Sequence, residues 1–503
     1  MDNNKFLEKI QLLSDPYFDR EFFTNLIFCI DRKKTVREVF DAVLREVCKS
    51  ASFTEELDKG LLHLFYSYQA SSVVKENYQW LPLAQGIYSM ALFRGDGEKL
   101  VERRENFSDR SEAITAEEFK SLIRLEVRDV EPIERAWTGL LFLLENRTMR
   151  GKAIEALVEE ALRSCDALTI KLIMKGLDLS LSSGWKSCDA LLGRAFQKFW
   201  SSRKQNEQAI LLGQRLAITG RFGQLKLDDP TPVWRADWTD ELWRKLSTES
   251  AESVWQTYER WVGEGVSLDQ LFGIQMLFRG RCLFAMKSEQ WPRVCESIEF
   301  ADALLSASRW LPQARLTFLA IHLFDLIEVV RQTGSTTPAL PTGQDILDGV
   351  SKNISKDRLI LRLEDAVERG ERQHALELMA VILKDQGLTH SMTDRVVLMA
   401  SKQDGWTFDF KTLSTATVLT RAFDAVPRWG FKGDAIAETL YGLLRFLSDE
   451  RELSTQMAKK TGTYGEGLSH SQFDVSSGAR IVDRFVFNQM RNGQRIKIWP
   501  SNN

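Results

Sequence analysis

Apolar residues along the chain recur at three- and four-residue steps, which is the spacing of one face of an α-helix. The segment KTVREVFDAVLREV (34–47) shows this pattern, and so do GKAIEALVEEAL (151–162), RLILRLEDAVERG (358–370), HALELMAVILKD (374–385) and AETLYGLLRFL (437–447). The pattern predicts roughly twenty helices of ordinary length, joined by short loops. We therefore expect an all-α fold, an irregular stack of antiparallel helical hairpins that is either solenoid-like or a lobed bundle.

Three segments interrupt the helical pattern and indicate boundaries. LKLDDPTPVWRAD (225–237) and RQTGSTTPALPTGQD (331–345) carry prolines, and KKTGTYGEGLSHSQFDVSSG (459–478) is rich in glycine and serine. No fixed repeat period is present. The predicted regions are an N-terminal helical region (1–224), a central Trp-rich helical region (225–333), a C-terminal helical region (346–458) and a tail (459–503).

The tail differs in kind from the rest of the chain. In FVFNQMRNGQRIKIW (485–499), Asn492-Gly493 separates two β-prone segments, which predicts a short C-terminal β-hairpin. This hairpin either caps the helical stack or docks on an acidic partner or a phosphate backbone. The basic residues that would make such contacts are Arg480, Arg484, Arg491, Arg495 and Lys497.

Composition excludes several classes of protein. The 503 residues contain 67 basic and 70 acidic side chains, a formal net charge of -3, so no overall charge attracts nucleic acid or an anionic membrane. Six cysteines without a CxxC pair fit neither a zinc knuckle nor a disulfide scaffold. The first residues carry no long apolar run, and no stretch is apolar enough to span a bilayer. We expect a soluble cytoplasmic protein without membrane, metal or cofactor.

Candidate chemistry rests on five histidines, of which two stand out. His322 lies three residues before Asp325, so the two share a helix face and form either half of a metal site, a histidine oriented by a carboxylate, or a semi-buried hydrogen bond. Glu371 and His374 have the ExxH spacing of di-iron bundles, but no other histidine has glutamate three residues before it. No phosphate-loop, GxSxG or HExxH motif occurs.

Several histidine-bearing helices resemble those of questin-oxidase-like proteins. The similar segments are KGLLHLFYSYQAS (59–71), FLAIHLFDLIEVVRQ (318–332), ERGERQHALELMAVILKDQGL (368–388) and GWTFDFKTLSTATVLTRAFDA (405–425). The resemblance places His63 at a histidine that the family retains and implies Baeyer–Villiger-type oxidation of an aromatic polyketide. The chain carries fewer histidines than the family's helices, and segment 406–415 carries none.

Five tryptophans cluster in VWRADWTDELWRKLSTESAESVWQTYERW (233–261). Trp255 and Trp261 fall on an apolar helical stripe, and this predicts that they are core residues. A helix is expected to begin at Thr239 as its N-cap. Trp234 and Trp238 would then lie in the preceding loop, where we expect them to meet a partner.

The same features lead to three hypotheses about function. The first is a non-catalytic interaction or scaffold protein, a subunit of a larger assembly with a protein partner. The second is a helical oxidoreductase that uses His63, His322 and Asp325. The third is binding of nucleic acid through basic–aromatic clusters such as RFGQLK (221–226), FRGRCLF (278–284) and VPRWGFKG (426–433).

Overall fold

The computed structural model describes residues 29, 35–49, 55–74, 79–94, 113–125, 130–185, 187–201, 234–333, 356–383, 392–401, 411–429 and 437–449. Within these ranges every extended regular element is a helix and no strand occurs. The all-α prediction is confirmed there. None of these helices is long and apolar enough to cross a membrane. The predicted β-hairpin lies outside the described residues.

The helices are α1 Val36–Lys49, α2 Glu55–Ser71, α3 Trp80–Arg94, α4 Ala116–Arg124, α5 Val130–Glu145, α6 Arg150–Ser164, α7 Ala167–Ser182, α8 Cys188–Ser201, α9 Ala236–Thr248, α10 Ala251–Gly263, α11 Leu268–Ala285, α12 Trp291–Trp310, α13 Arg315–Thr333, α14 Lys356–Glu368, α15 Arg372–Leu383, α16 Met392–Ser401, α17 Lys411–Trp429 and α18, residues 437–449.

Polar side chains fix where several helices begin. Asp166 accepts a hydrogen bond from the backbone N–H of Thr169 at 2.7 Å and so caps α7. Ser250 caps α10 in the same way, and Ser267 forms a reciprocal capping box with Gln270 at the start of α11. These contacts satisfy N–H groups that have no partner inside the helix.

The start predicted for α9 was wrong. The helix begins at Ala236, not after Thr239, and Thr239 lies in its first turn. The Thr239 hydroxyl accepts a hydrogen bond from Nε1 of Trp234 at 2.9 Å. Its contact is therefore with an indole, and it does not cap the helix.

The described residues belong to two compact units, each assembled from separate parts of the chain. The first unit takes residues 1–65, 86–215 and 302–321. In it α7 packs on α8 so closely that a Cβ at Gly176 would lie 2.8 Å from the backbone oxygen of Leu191. Charges are also buried here: the Asp58 carboxylate contacts Nε of Arg194 at 2.7 Å and Nζ of Lys198 at 2.9 Å.

The second unit takes residues 66–85, 216–301 and 322–503. In it α9 packs on α10, α14 on α15, and α17 on both α11 and α16. Helix α18 crosses α11 at glycine, because a Cβ at Gly442 would lie 2.1 Å from the backbone oxygen of Gly280. The boundaries predicted from loop composition fall mainly outside the described ranges and stay predictions.

Candidate functional site: a buried polar cluster on three helices

Three helices bring polar side chains together in the interior of the second unit. Helix α13 supplies His322 and Asp325, which share one face as their spacing predicts. Helix α11 supplies Arg279, and α12 supplies Ser297. His322 is 1% exposed, while Arg279 and Ser297 are fully buried. We call these four residues the Arg279 cluster.

Arg279 is the centre of this cluster because its guanidinium contacts all three helices. Its Nε donates to the Ser297 hydroxyl at 2.7 Å, and Nη1 donates to the backbone oxygen of Gln275 at 3.0 Å. Its Nη2 donates to the backbone oxygen of His322 at 3.1 Å and to Oδ2 of Asp325 at 2.7 Å. A planar group with five N–H donors suits such a site, which a lysine would not satisfy.

The Asp325 carboxylate is held by two cations and a hydroxyl. The second cation is Arg293, which donates to Oδ1 of Asp325 at 2.9 Å and also to Glu328 at 3.1 Å. The hydroxyl is that of Ser297, which donates to Oδ2 of Asp325. Burial alone would raise the pKa of Asp325, but the charges of Arg279 and Arg293 outweigh it and the pKa lies below its ordinary value. Asp325 is therefore an ionised partner of arginines.

His322 is a neutral imidazole in this environment. Burial, together with the Arg279 charge, holds its pKa well below 6.5. Its Nδ1 lies 3.3 Å from Nη1 of Arg279 and also contacts the side-chain oxygen of Gln275. The Phe272 ring packs edge-on against it, with ring centroids 5.6 Å apart. A ring enclosed in this way has little surface for a substrate.

Other reactive groups nearby are also masked by burial. Burial raises the pKa of the Cys282 thiol to about 12, and it raises the pKa of Tyr258 above its ordinary value. Neither group ionises readily at neutral pH. The cluster therefore offers an ion pair and a neutral histidine, without an activated nucleophile among its described neighbours.

His63, the other candidate of the oxidoreductase hypothesis, lies in the first unit, on α2, and is 5% exposed. His322 and Asp325 lie in the second unit. His374 is exposed on α15. Across the described ranges, no three His, Cys, Asp or Glu side chains gather as a possible metal-binding group.

The placement of Trp238 in a loop was wrong, because Trp238 lies on α9. Its indole stacks on Trp261, with centroids 5.5 Å apart and an interplanar angle of 28°, and Trp234 meets both rings edge-on. Burial against Trp261 explains why the segment becomes helical so soon after Pro232. Trp234 and Trp238 are each 5% exposed, so a partner would meet little of either indole.

The basic–aromatic cluster at 278–284 is internal. Arg281 lies over the Trp243 ring at 4.3 Å and its Nε is 3.3 Å from Glu438. Sequence reasoning missed Arg279 because an arginine between a phenylalanine and a glycine, Phe278 and Gly280, also suits a surface. The available signal was its position inside a run of apolar residues on α11. The side chains of 221–226 and 426–433, and those of Arg480, Arg484, Arg491, Arg495 and Lys497, lie outside the described set.

Comparisons of the chain with protein-family models, curated proteins and solved structures find no match. The resemblance to questin-oxidase-like proteins stays a prediction. The fold and the cluster define a class of protein: one whose described residues form helices, with a buried arginine–aspartate network in the second unit.

Proposed function

We propose that the protein acts without catalysing a reaction, as a helical interaction or scaffold protein within a larger assembly. One observation supports this most directly. The His322 imidazole contacts Arg279 and Gln275 of α11 through Nδ1, and the Asp325 carboxylate binds Arg279 of α11 and Ser297 of α12. Because these two side chains contact neighbouring helices, they are not free to bind a substrate.

The oxidoreductase alternative requires His322 to reach a substrate or a metal. An imidazole that is 1% exposed and lies against the cationic guanidinium of Arg279 is poorly suited to either role. The nucleic-acid alternative depends on the basic residues from Arg480 to Lys497, for which the structure gives no geometry, and no observation favours it over the first proposal.

We propose further that the helical hairpins continue as an irregular solenoid-like or lobed stack and that the assembly is cytoplasmic. Three described cysteines support this location, since Cys188, Cys282 and Cys295 are buried free thiols. Free thiols are typical of a reducing compartment.

Cross-linking in intact cells tests the proposal. The full chain, tagged and expressed at its native level, is expected to give a reproducible cross-link to at least one other protein. The His322→Gln variant should retain that cross-link if it folds. The proposal is contradicted if the chain never cross-links to another protein, or if purified protein oxidises an aromatic substrate and folded His322→Gln does not.

A further inference from the structure

A turn in the first unit combines backbone strain with aromatic exposure. Between α7 and α8, Gly184 and Trp185 both have φ of +67°. Glycine adopts this left-handed conformation freely, but tryptophan rarely does, because its Cβ crowds the backbone. Trp185 is the one non-glycine residue with positive φ among those described. Strain of this kind persists only where the surroundings impose it, and it concentrates at functional sites.

The surroundings of Trp185 are partly open to solvent. Its backbone N–H donates to the oxygen of Ser180 at 2.8 Å, which fixes the turn. Trp310 meets its ring edge-on with centroids 6.1 Å apart, and both indoles are half-buried. The backbone oxygen of Leu181 accepts a hydrogen bond from the N–H of Gly184 in the same turn, and Leu181 is 55% exposed. An exposed leucine and two half-buried tryptophans therefore lie in or against this one turn.

Arginines give this surface its charge. The Arg150 guanidinium lies 4.6 Å from the centroid of the Trp185 ring. Its hydrogen bonds go to the backbone oxygens of Leu144 and Glu145, so in the described part of the chain it contacts no carboxylate. A second guanidinium, from Arg37, donates to the backbone oxygen of Ser183 at 3.0 Å and shares its charge with Asp41 at 3.7 Å.

We propose that Arg150, Leu181, Trp185 and Trp310, here called the Trp185 surface, form a docking site for an acidic segment of a partner protein that also carries aliphatic side chains. The inference rests on the proposed function and names the partner's chemistry. Tryptophan and arginine are the residues that most often dominate the binding energy of protein interfaces. Arg150 supplies a positive charge that a carboxylate of the partner would neutralise, and Leu181 supplies apolar contact. The exposed Leu181 favours a protein segment with aliphatic side chains over a nucleic acid.

Binding to a defined probe tests the surface. The probe is a fluorescein-labelled peptide of alternating glutamate and leucine, titrated with the full chain and followed by fluorescence anisotropy. Trp185→Gly removes the indole while a glycine suits φ of +67°, and Arg150→Gln removes the charge. Each variant should weaken binding by about tenfold or more. Arg358→Gln, which removes an exposed arginine from the second unit, is the matched control and should leave binding unchanged.

Three results would contradict the proposed role of the Trp185 surface. The first is an unchanged affinity of Trp185→Gly or Arg150→Gln for the peptide. The others are an equal affinity of the wild-type chain for a peptide with lysine in place of glutamate, and tighter binding of single-stranded oligothymidylate than of the peptide. Cross-linking in intact cells distinguishes a failure of this docking site from a failure of the proposed scaffold function. If Trp185→Gly keeps the partner that the wild-type chain captures, the surface is wrong and the scaffold function stands. If the wild-type chain captures none, the scaffold function itself is wrong.

Discussion

Arg279 has no exposed surface, yet it carries a full charge into the interior of the second unit. Desolvation lowers its pKa, and the Asp325 carboxylate partly offsets that effect. A buried pair of this kind adds little stability compared with apolar packing, but losing one partner leaves the other uncompensated. The pair therefore acts mainly to specify which faces of α11, α12 and α13 meet.

Replacing Arg279 tests that role. Arg279→Met should lower the free energy of unfolding by about 1.5–3 kcal/mol, because Asp325 keeps only the part-exposed Arg293 as a cation and the backbone oxygens of Gln275 and His322 lose their donor. Arg293→Met should cost less than about 1 kcal/mol, since the Arg293 side chain is 31% exposed. Urea denaturation of both variants checks the comparison. Equal losses would show that burial does not distinguish the two arginines.

His322 predicts a dependence of stability on pH. Its pKa in the folded state lies well below 6.5, so the unfolded chain binds the proton more readily. The stability from neutral His322 is then present above pH 6.5 and is lost as the pH falls below it. His322→Gln should flatten this slope. Unfolding free energies measured across the pH range test this, and an unchanged slope in His322→Gln would refute it.

Trp185 offers a test of strain that is independent of binding. Trp185→Gly and Trp185→Ala both lose the ring, but only alanine keeps the crowded Cβ at φ of +67°. The glycine variant should be more stable than the alanine variant by about 1 kcal/mol. Thermal unfolding of the two proteins measures this difference. Equal stability would mean that the turn does not impose its conformation on residue 185.

At the scale of helices, the close approach of α11 and α18 depends on glycine. A Cβ at Gly442 would overlap the backbone oxygen of Gly280, and backbone cannot move aside as a flexible side chain can. Gly442→Ala should therefore destabilise the protein by about 1–3 kcal/mol or more.

Gly151→Ala in α6 is the matched control for that substitution, because nothing lies within 4 Å of the added Cβ. It should raise stability by about 0.5–1 kcal/mol through the better helix propensity of alanine. Differential scanning calorimetry of both variants shows whether Gly442→Ala lowers the stability of the protein and Gly151→Ala raises it. A stable Gly442→Ala protein would place the helices further apart than the structure does.

Helices such as α1 and α14 were predictable, because each repeats a local spacing that the sequence displays. The start of α9 was not, because it depends on Trp238 stacking on Trp261, a contact between two helices. The same limit applies to the site. The spacing of His322 and Asp325 predicts their shared face, but the partners Arg279 and Ser297 come from other helices. The strain at Trp185 likewise has no signature beyond the glycine before it.

At the scale of the whole molecule, we propose that the protein acts through contact with another protein, while the Arg279 cluster joins three of its helices. The two units contribute differently to that account. The second unit holds the Arg279 cluster, and the first unit holds the Trp185 surface.

Sedimentation velocity of the fluorescently tagged chain in native lysate, at its cellular concentration, tests the central claim most directly. We predict that the wild-type chain sediments as a complex heavier than one chain and that the folded Trp185→Gly variant shifts toward the mass of a single chain. Sedimentation of the wild type as a single chain at every lysate concentration would contradict the account.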